Sequence, residues 1–154
     1  MTLRDIARRK LVAARSLSWR DRGLVAEAAL LLCAARLTLW LVPFRRYRTW
    51  LSVDRRRRRG RTVSPMLVSR VGRAVRIAAR NLPFEAVCLP RAMAAKLMLA
   101  RRGCPSSLVI GSGSDDGGAM TLHAWLDSGG TIVVGDNGRS SVTPVVRFGS
   151  SSPP

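Results

Sequence analysis

Apolar residues recur with helical spacing over the first two thirds of the chain and alternate with polar residues over the last third. The longest apolar run covers residues 24–42, and it predicts a helix that starts just after Ser18 and ends before Pro43. A run of this length can span a bilayer, but Glu27 and Arg36 interrupt it. Because a charge near the centre of a span costs about 2.5–3.5 kcal/mol, we expect a buried or interfacial helix.

Two further helices are predicted before the pattern changes. Ser64 and Pro65 are typical of an N-cap followed by proline in the first turn, and a helical apolar face continues from there to Arg80. The next helix is predicted to begin at Cys88 and to end at Gly103, since glycine is the usual residue just beyond a helix.

After this third helix, short alternating segments predict strands. Gly129 and Gly130 lie between two such segments, so they predict a two-residue hairpin loop. An exposed loop is predicted over residues 112–118. The predicted strands cover residues 107–110, 119–127, 131–136 and 142–148. Helices followed by an antiparallel sheet give an α+β fold.

The same pattern predicts how the chain divides. Residues 1–63 are expected to form an N-terminal helical region that ends in a basic linker, because the run Arg55–Arg59 repels itself and is best solvated. Residues 64–148 are expected to form the core domain. Residues 149–154, which are rich in serine and proline, are expected to be a flexible tail.

The charge balance limits the kinds of partner. The chain of 154 residues carries 27 Lys and Arg against 9 Asp and Glu, a net charge of +18. Such a field attracts anionic partners, which include nucleic acid, anionic lipid and acidic peptides. A genome that favours arginine codons explains the excess equally well. No interleaving of aromatic and basic residues accompanies it, so no specific nucleic-acid partner is predicted.

Cysteine and histidine counts limit the chemistry. There are three cysteines, widely spaced and without a CxxC pair, and a single histidine. This count argues against a disulfide framework and against a zinc site, so neither a metal nor another cofactor is predicted. The N-terminus lacks the apolar core of a signal peptide, and we therefore expect a cytoplasmic, reducing location.

Cys88 and His123 are the best candidates for a nucleophile and its base. A thiol at the start of a helix lies at the positive end of the helix dipole, which favours the thiolate. Cys33 lies in the middle of an apolar helix and Cys104 follows a helix end, so neither has that advantage. His123 is the sole histidine; if the protein is a cysteine hydrolase, His123 must be the base. Taken alone, each residue fits a structural role as well.

Asp136 is the candidate for the acid that orients the histidine. If Gly129 and Gly130 form a two-residue loop, paired positions sum to 259, and His123 then faces Asp136. A loop of another length would shift this register. Asp127 lies too far along the strand, roughly 13 Å from His123. Asp136 also fits a plain turn residue.

Several short motifs make the resemblance to a known family specific. In order and spacing, residues 20–140 resemble the stand-alone leader peptidases of lasso-peptide biosynthesis, which have a transglutaminase/papain-like core in which a nucleophile helix packs on a small antiparallel sheet. The motifs that carry this resemblance are Pro83-Phe84, Cys88-Leu-Pro-Arg-Ala92, Arg101-Arg-Gly103, Leu108-Val-Ile-Gly111, His123-Ala-Trp125 and Asp136. Residues 112–118 and the tail do not follow the family pattern.

The resemblance implies a cysteine peptidase that removes the leader from a lasso-peptide precursor, with Cys88, His123 and Asp136 as its triad and no cofactor. It also implies three partners: the precursor, a separate leader-recognition protein and an ATP-dependent cyclase. Two other functions stay open. One is amide transfer to an amine by the same triad, and the other is a non-catalytic basic protein that binds nucleic acid or, weakly, a membrane surface.

Overall fold

The computed structural model describes residues 17–41, 64–114, 119–135 and 142–149, which form three helices followed by one antiparallel sheet. This order confirms the predicted α+β fold class. The helices are α1 (Trp19–Leu41), α2 (Pro65–Asn81) and α3 (Cys88–Arg101). The strands are β1 (Ser107–Ser114), β2 (Met120–Ser128), β3 (Thr131–Val134) and β4 (Val142–Phe148).

A Ser18 cap starts α1 where the sequence predicted the start of this helix. The Asp21 backbone N–H donates to Ser18 Oγ at 3.2 Å, and the Ser18 hydroxyl donates to the Asp21 carboxylate at 2.8 Å. Arg70 of α2 donates to the same carboxylate at 2.8 Å, which ties the two helices together. The Ser18 hydroxyl and then Arg70 lower the pKa of Asp21 below its ordinary value of 3.8. This contribution to stability is therefore present at neutral pH and is lost as pH falls through the lowered pKa.

One face of α1 is buried against the other helices. Leu24, Ala28, Leu32 and Ala35 are buried and face α2 and α3. Glu27, which interrupts the apolar run, accepts two hydrogen bonds from the Arg102 guanidinium at 2.6 and 3.2 Å. A fork of this kind is among the stronger polar contacts in proteins.

The opposite face of α1 is apolar and exposed. Leu30, Leu37, Trp40 and Leu41 are each more than half exposed. By length and by a mean hydropathy of 1.8, α1 could cross a bilayer, a property it shares with core helices of soluble proteins. Contact of this face with a membrane surface stays a prediction.

Helix α3 lies at the centre of the fold. Eight of its fourteen residues are buried, since it packs against α1, α2 and the sheet. Ala92, Ala94 and Ala95 are buried and small, and their size permits close packing on more than one side. The buried Lys96 ammonium donates to the backbone carbonyls of Ser106 and Phe148, so α3 also holds the start of β1 and the end of β4, which lie side by side in the sheet.

The sheet has the strand order β3-β2-β1-β4 with antiparallel pairing. β1 extends to Ser114, so the predicted exposed loop over residues 112–118 is wrong at its first half. The reason is that Ser112 and Gly113 pair with β2 on one side and with β4 on the other. The residues 115–118 lie outside the described part of the chain.

The β2–β3 hairpin confirms the predicted loop but corrects the register. Gly129 and Gly130 have φ of 61° and 80°, as a two-residue loop of the hairpin type requires. Asp127 pairs with Ile132 as predicted, but Leu126 then pairs with Val134 instead of residue 133. Val133 is an extra residue in β3, a bulge that shifts the pair Leu126–Val134 by one position.

The predicted division of the chain stays a prediction. The boundary at residue 63, the arginine run 55–59 and most of the tail 149–154 lie outside the described residues. Among the described residues, the helix α1 from the first predicted region packs directly on α2 and α3 of the second.

The ion pair between Glu27 and Arg102 gives a test of how α1 is held. We expect Glu27→Gln to lower the free energy of unfolding by about 2 kcal/mol. The substitution removes the negative charge that accepts two hydrogen bonds from Arg102, at a side chain that is only 19% exposed. Urea titration followed by circular dichroism measures this change.

Glu85→Gln is the matched control for that variant. Glu85 is exposed, and the ion pairs of the described residues do not include it, so its substitution should change stability by less than about 0.5 kcal/mol. Equal effects of the two substitutions would show that the Glu27 pair does not hold α1.

Candidate active site

Cys88 is the first residue of α3, and the helix start around it has no side-chain cap. The N-cap residue is Val87, whose side chain accepts no hydrogen bond. The first backbone N–H groups of a helix have no partner within the helix, so those of Cys88 and Leu89 are available to an incoming oxygen atom. A helix start without a polar cap lowers the stability of the fold. Local losses of stability of this kind occur at functional sites, where the N–H groups are left to bind a ligand.

The other two cysteines lie in different surroundings. Cys104 is buried after the end of α3, and its thiol donates weakly to the Arg102 carbonyl at 3.9 Å. Cys33 is half-buried on α1, so the prediction that it is a core residue is correct only in part. Neither residue lines the cavity that contains Cys88.

His123 lies on β2, opposite Gly111 of β1. The neighbouring Trp125 is buried, and its indole ring covers Gly111: a Cβ atom built there would lie 2.9 Å from the ring. The same Cβ would lie 2.7 Å from the Thr143 carbonyl oxygen of β4. Glycine is therefore required at position 111, directly opposite His123.

Cys88 and His123 line one cavity of about 410 Å³ at the start of α3. The end of β3, from Ile132 to Gly135, forms another wall. No hydrogen bond joins the thiol to the imidazole within the described chain, and the sole thiol hydrogen bond found there is that of Cys104. Catalytic pairs commonly close only when substrate is bound. The cavity thus brings together a thiol, an imidazole and the free N–H groups of a helix start.

Asp136 lies outside the described residues, and its role stays a prediction. Its described neighbour Gly135 lines the same cavity as Cys88 and His123. The register argument for Asp136 assumed an unbroken hairpin, and the bulge at Val133 overturns that assumption beyond Asp127. What supports Asp136 is now its position in sequence next to a residue of the cavity wall.

Three charged residues of the cavity were not singled out from the sequence. They are Arg76 of α2, Glu85 in the segment before α3, and Arg91 of α3. Helical spacing points to Arg91, because residues three apart on a helix share one face and Arg91 is three residues after Cys88. Arg76 had no such signal, since its place in the wall depends on how α2 packs against β3.

The contact between α2 and β3 shapes that wall. The Arg76 guanidinium donates to the Val133 carbonyl at 3.0 Å, so the bulged residue bonds to the helix instead of to the strand ladder. The Val133 carbonyl also lies so close to Gly72 that any Cβ atom there would collide with it. Close approach at Gly72 and a hydrogen bond from Arg76 therefore accompany the bulge.

The need for glycine at position 72 can be tested. We expect Gly72→Ala to lower the free energy of unfolding by about 1–3 kcal/mol, because the backbone of β3 must move away from α2. Thermal and urea unfolding measure the change.

Gly23→Ala in α1 is the matched control for Gly72→Ala. Apart from its own helix, no described residue has an atom within 4 Å of a Cβ built at Gly23, so alanine should stabilise this helix by about 0.5–1 kcal/mol. Stabilisation by both alanines would contradict the close approach at Gly72.

Comparison with known proteins agrees with this arrangement. The family model of the transglutaminase-like superfamily matches residues 29–147, which include α1 from its second half, all of α2 and α3, and the sheet. No curated protein and no solved structure matches the chain. Enzymes of this superfamily are typically cysteine peptidases or transglutaminases. With a cysteine at a helix start, a histidine on a strand of the antiparallel sheet and a match over most of its length, this chain belongs to the transglutaminase-like superfamily.

Proposed function

We propose that this protein is a cysteine peptidase that removes the leader peptide from a lasso-peptide precursor. The observation that carries the proposal is the shared cavity of Cys88 and His123 at an uncapped helix start. The motifs around both residues, together with the Arg101-Arg-Gly103 helix end, support the finer assignment through their resemblance to stand-alone leader peptidases.

The proposed reaction is acyl transfer to water. His123 takes the Cys88 proton, the sulfur attacks the carbonyl carbon at the leader–core junction, and backbone N–H groups at the start of α3 bind the oxyanion. The C–N bond then breaks as His123 protonates the leaving amine of the core peptide. Water hydrolyses the thioester, which releases the leader as an acid and restores the thiol.

Partners and location are part of the same proposal. We propose that a separate leader-recognition protein presents the precursor and that an ATP-dependent cyclase uses the released core. A cytoplasmic location is proposed as well, since a reducing compartment keeps a catalytic thiol active.

The decisive experiment is incubation of the precursor encoded nearest to this protein's gene, with and without the leader-recognition protein, followed by mass spectrometry. We expect scission at one junction by the wild type and none by Cys88→Ala. Cys33→Ala is the matched control, because it removes a half-buried thiol outside the cavity, and it should keep wild-type cleavage.

The products also separate the alternatives. Addition of methylamine distinguishes the two acyl acceptors: a leader acid indicates hydrolysis, whereas a leader methylamide as the main product would indicate transglutaminase-like amide transfer. Absence of either product from folded wild type with its partner would contradict the peptidase proposal and favour a non-catalytic binding protein.

The assignment of Asp136 has its own test. We expect Asp136→Asn to lower kcat by roughly 10²-fold or more, because the amide cannot hold the imidazolium as a carboxylate does. Asp127→Asn is the control: its side-chain oxygen accepts a hydrogen bond from the Gly130 N–H, and asparagine keeps that acceptor. Equal activity of the two variants would remove Asp136 from the triad.

A further inference from the structure

We propose that the cavity beside Cys88 binds a carboxylate group through Arg91, with Arg76 as a second positive charge in the wall. The substrate would then be a peptide with a carboxylate close to the bond that is cut. Carboxylate binding does not depend on the proposed reaction, whereas the identification of the ligand as a substrate rests on the proposed function.

Arg91 carries the proposal because one of its guanidinium donors lacks a partner among the described residues. Its Nε atom is buried and has no hydrogen-bond partner in the part of the chain that the structure describes. Buried donors are nearly always paired, and a charged donor without a partner is the rarer case. Arg91 follows Cys88 by one helical turn and lines the same cavity, so a ligand that reaches the thiol lies beside the Arg91 side chain.

The charged residues that the structure describes in the cavity wall are positive in excess. Arg76 uses Nη1 to hold the Val133 carbonyl, which fixes its guanidinium in the wall. Glu85 is the acidic residue among the described lining residues, and it is exposed. No ion pair joins Glu85 to Arg76 or Arg91 within the described chain. Among the described lining residues, two arginine side chains therefore face one carboxylate.

The chemistry of arginine favours a carboxylate as the ligand. A guanidinium presents its donors in a planar fork that matches the two oxygens of a carboxylate. A cavity of about 410 Å³ accepts one or two amino-acid side chains. Phosphate has matching oxygens too, but the thiol and imidazole in the same cavity suit a carbonyl substrate, which a peptide supplies.

Alkylation of Cys88 tests this inference without a cleavage assay. Iodoacetate carries a carboxylate and iodoacetamide a neutral amide of nearly the same size. In both reactions the thiolate sulfur bonds to the methylene carbon as iodide leaves, and the thiol proton passes to buffer. The rates at Cys88, resolved by peptide mass spectrometry, give the ratio of iodoacetate to iodoacetamide reactivity.

We expect Arg91→Gln to lower this ratio by roughly tenfold, because a charge a few ångströms from the bound carboxylate is removed. Arg91→Lys should restore part of it. Arg80→Gln is the matched control: Arg80 is an exposed arginine of α2 that does not line the cavity, and its loss should change the ratio by less than about twofold. An unchanged iodoacetamide rate in each variant shows that Cys88 remains accessible and the site folded.

A ratio that Arg91→Gln leaves at the wild-type value, or lowers only as much as Arg80→Gln does, would overturn the inference. Neither result changes the outcome of the cleavage experiment, so the carboxylate-binding proposal and the peptidase proposal can fail separately. An Arg91 that served the oxyanion alone would give this unchanged ratio, since alkylation forms no oxyanion.

Protection of Cys88 from iodoacetamide identifies the source of the carboxylate. A short peptide with glutamate and an amidated C-terminus should protect better than its glutamine counterpart if a side chain is bound. Better protection by a glutamine peptide with a free C-terminus would instead assign the terminal carboxylate. Protection by inorganic phosphate and by neither peptide would overturn the peptide carboxylate as ligand.

Discussion

The burial of α3 is the constraint on which the rest of this structure depends. A helix that packs against two other helices and a sheet has almost no free face, so it must carry small residues such as Ala92, Ala94 and Ala95. The same burial leaves the helix start as the part of α3 that opens to the cavity, and Cys88 lies there. The far end is held by the Arg102 fork on Glu27 of α1, and the middle by the buried Lys96 ammonium on two backbone carbonyls. A nucleophile on this helix is therefore positioned by the core itself.

The histidine side of the cavity is positioned by close approach. Trp125 covers Gly111, the residue opposite His123, and Gly72 allows α2 to approach the bulged backbone of β3. The bulge directs the Val133 carbonyl to Arg76. The close approaches require glycine at positions 72 and 111, and the Val133 carbonyl bonds to Arg76. With this arrangement the end of β3 forms a cavity wall next to His123. Glycine is needed at positions 72 and 111 because a neighbouring backbone leaves no room for a Cβ atom.

The excess of arginine has more than one use within the described structure. Arg70 and Arg102 neutralise the two acidic residues of α1, Asp21 and Glu27, and so connect that helix to α2 and to the end of α3. Arg76 bonds to a strand, and Arg91 lines the cavity with an Nε donor that has no partner among the described residues. These arginines act at short range, where geometry decides their partner, whereas the net charge of +18 acts on any anion at a distance. Specific recognition is therefore to be sought at Arg91 and not in the total charge.

The sequence by itself determined the α+β order, the starts of the three helices, the two-residue hairpin and the pairing of Cys88 with His123 as candidates, because caps, prolines, glycines and apolar spacing are local signals. It also predicted Asp136, which no described contact yet tests. Only the tertiary structure decided the register beyond Asp127, since the bulge accompanies the close packing of α2 on β3. The same holds for the extension of β1 to Ser114, which needs partners on both edges, and for the presence of Arg76 in the cavity. These features depend on contacts between residues distant in sequence, which no local pattern encodes.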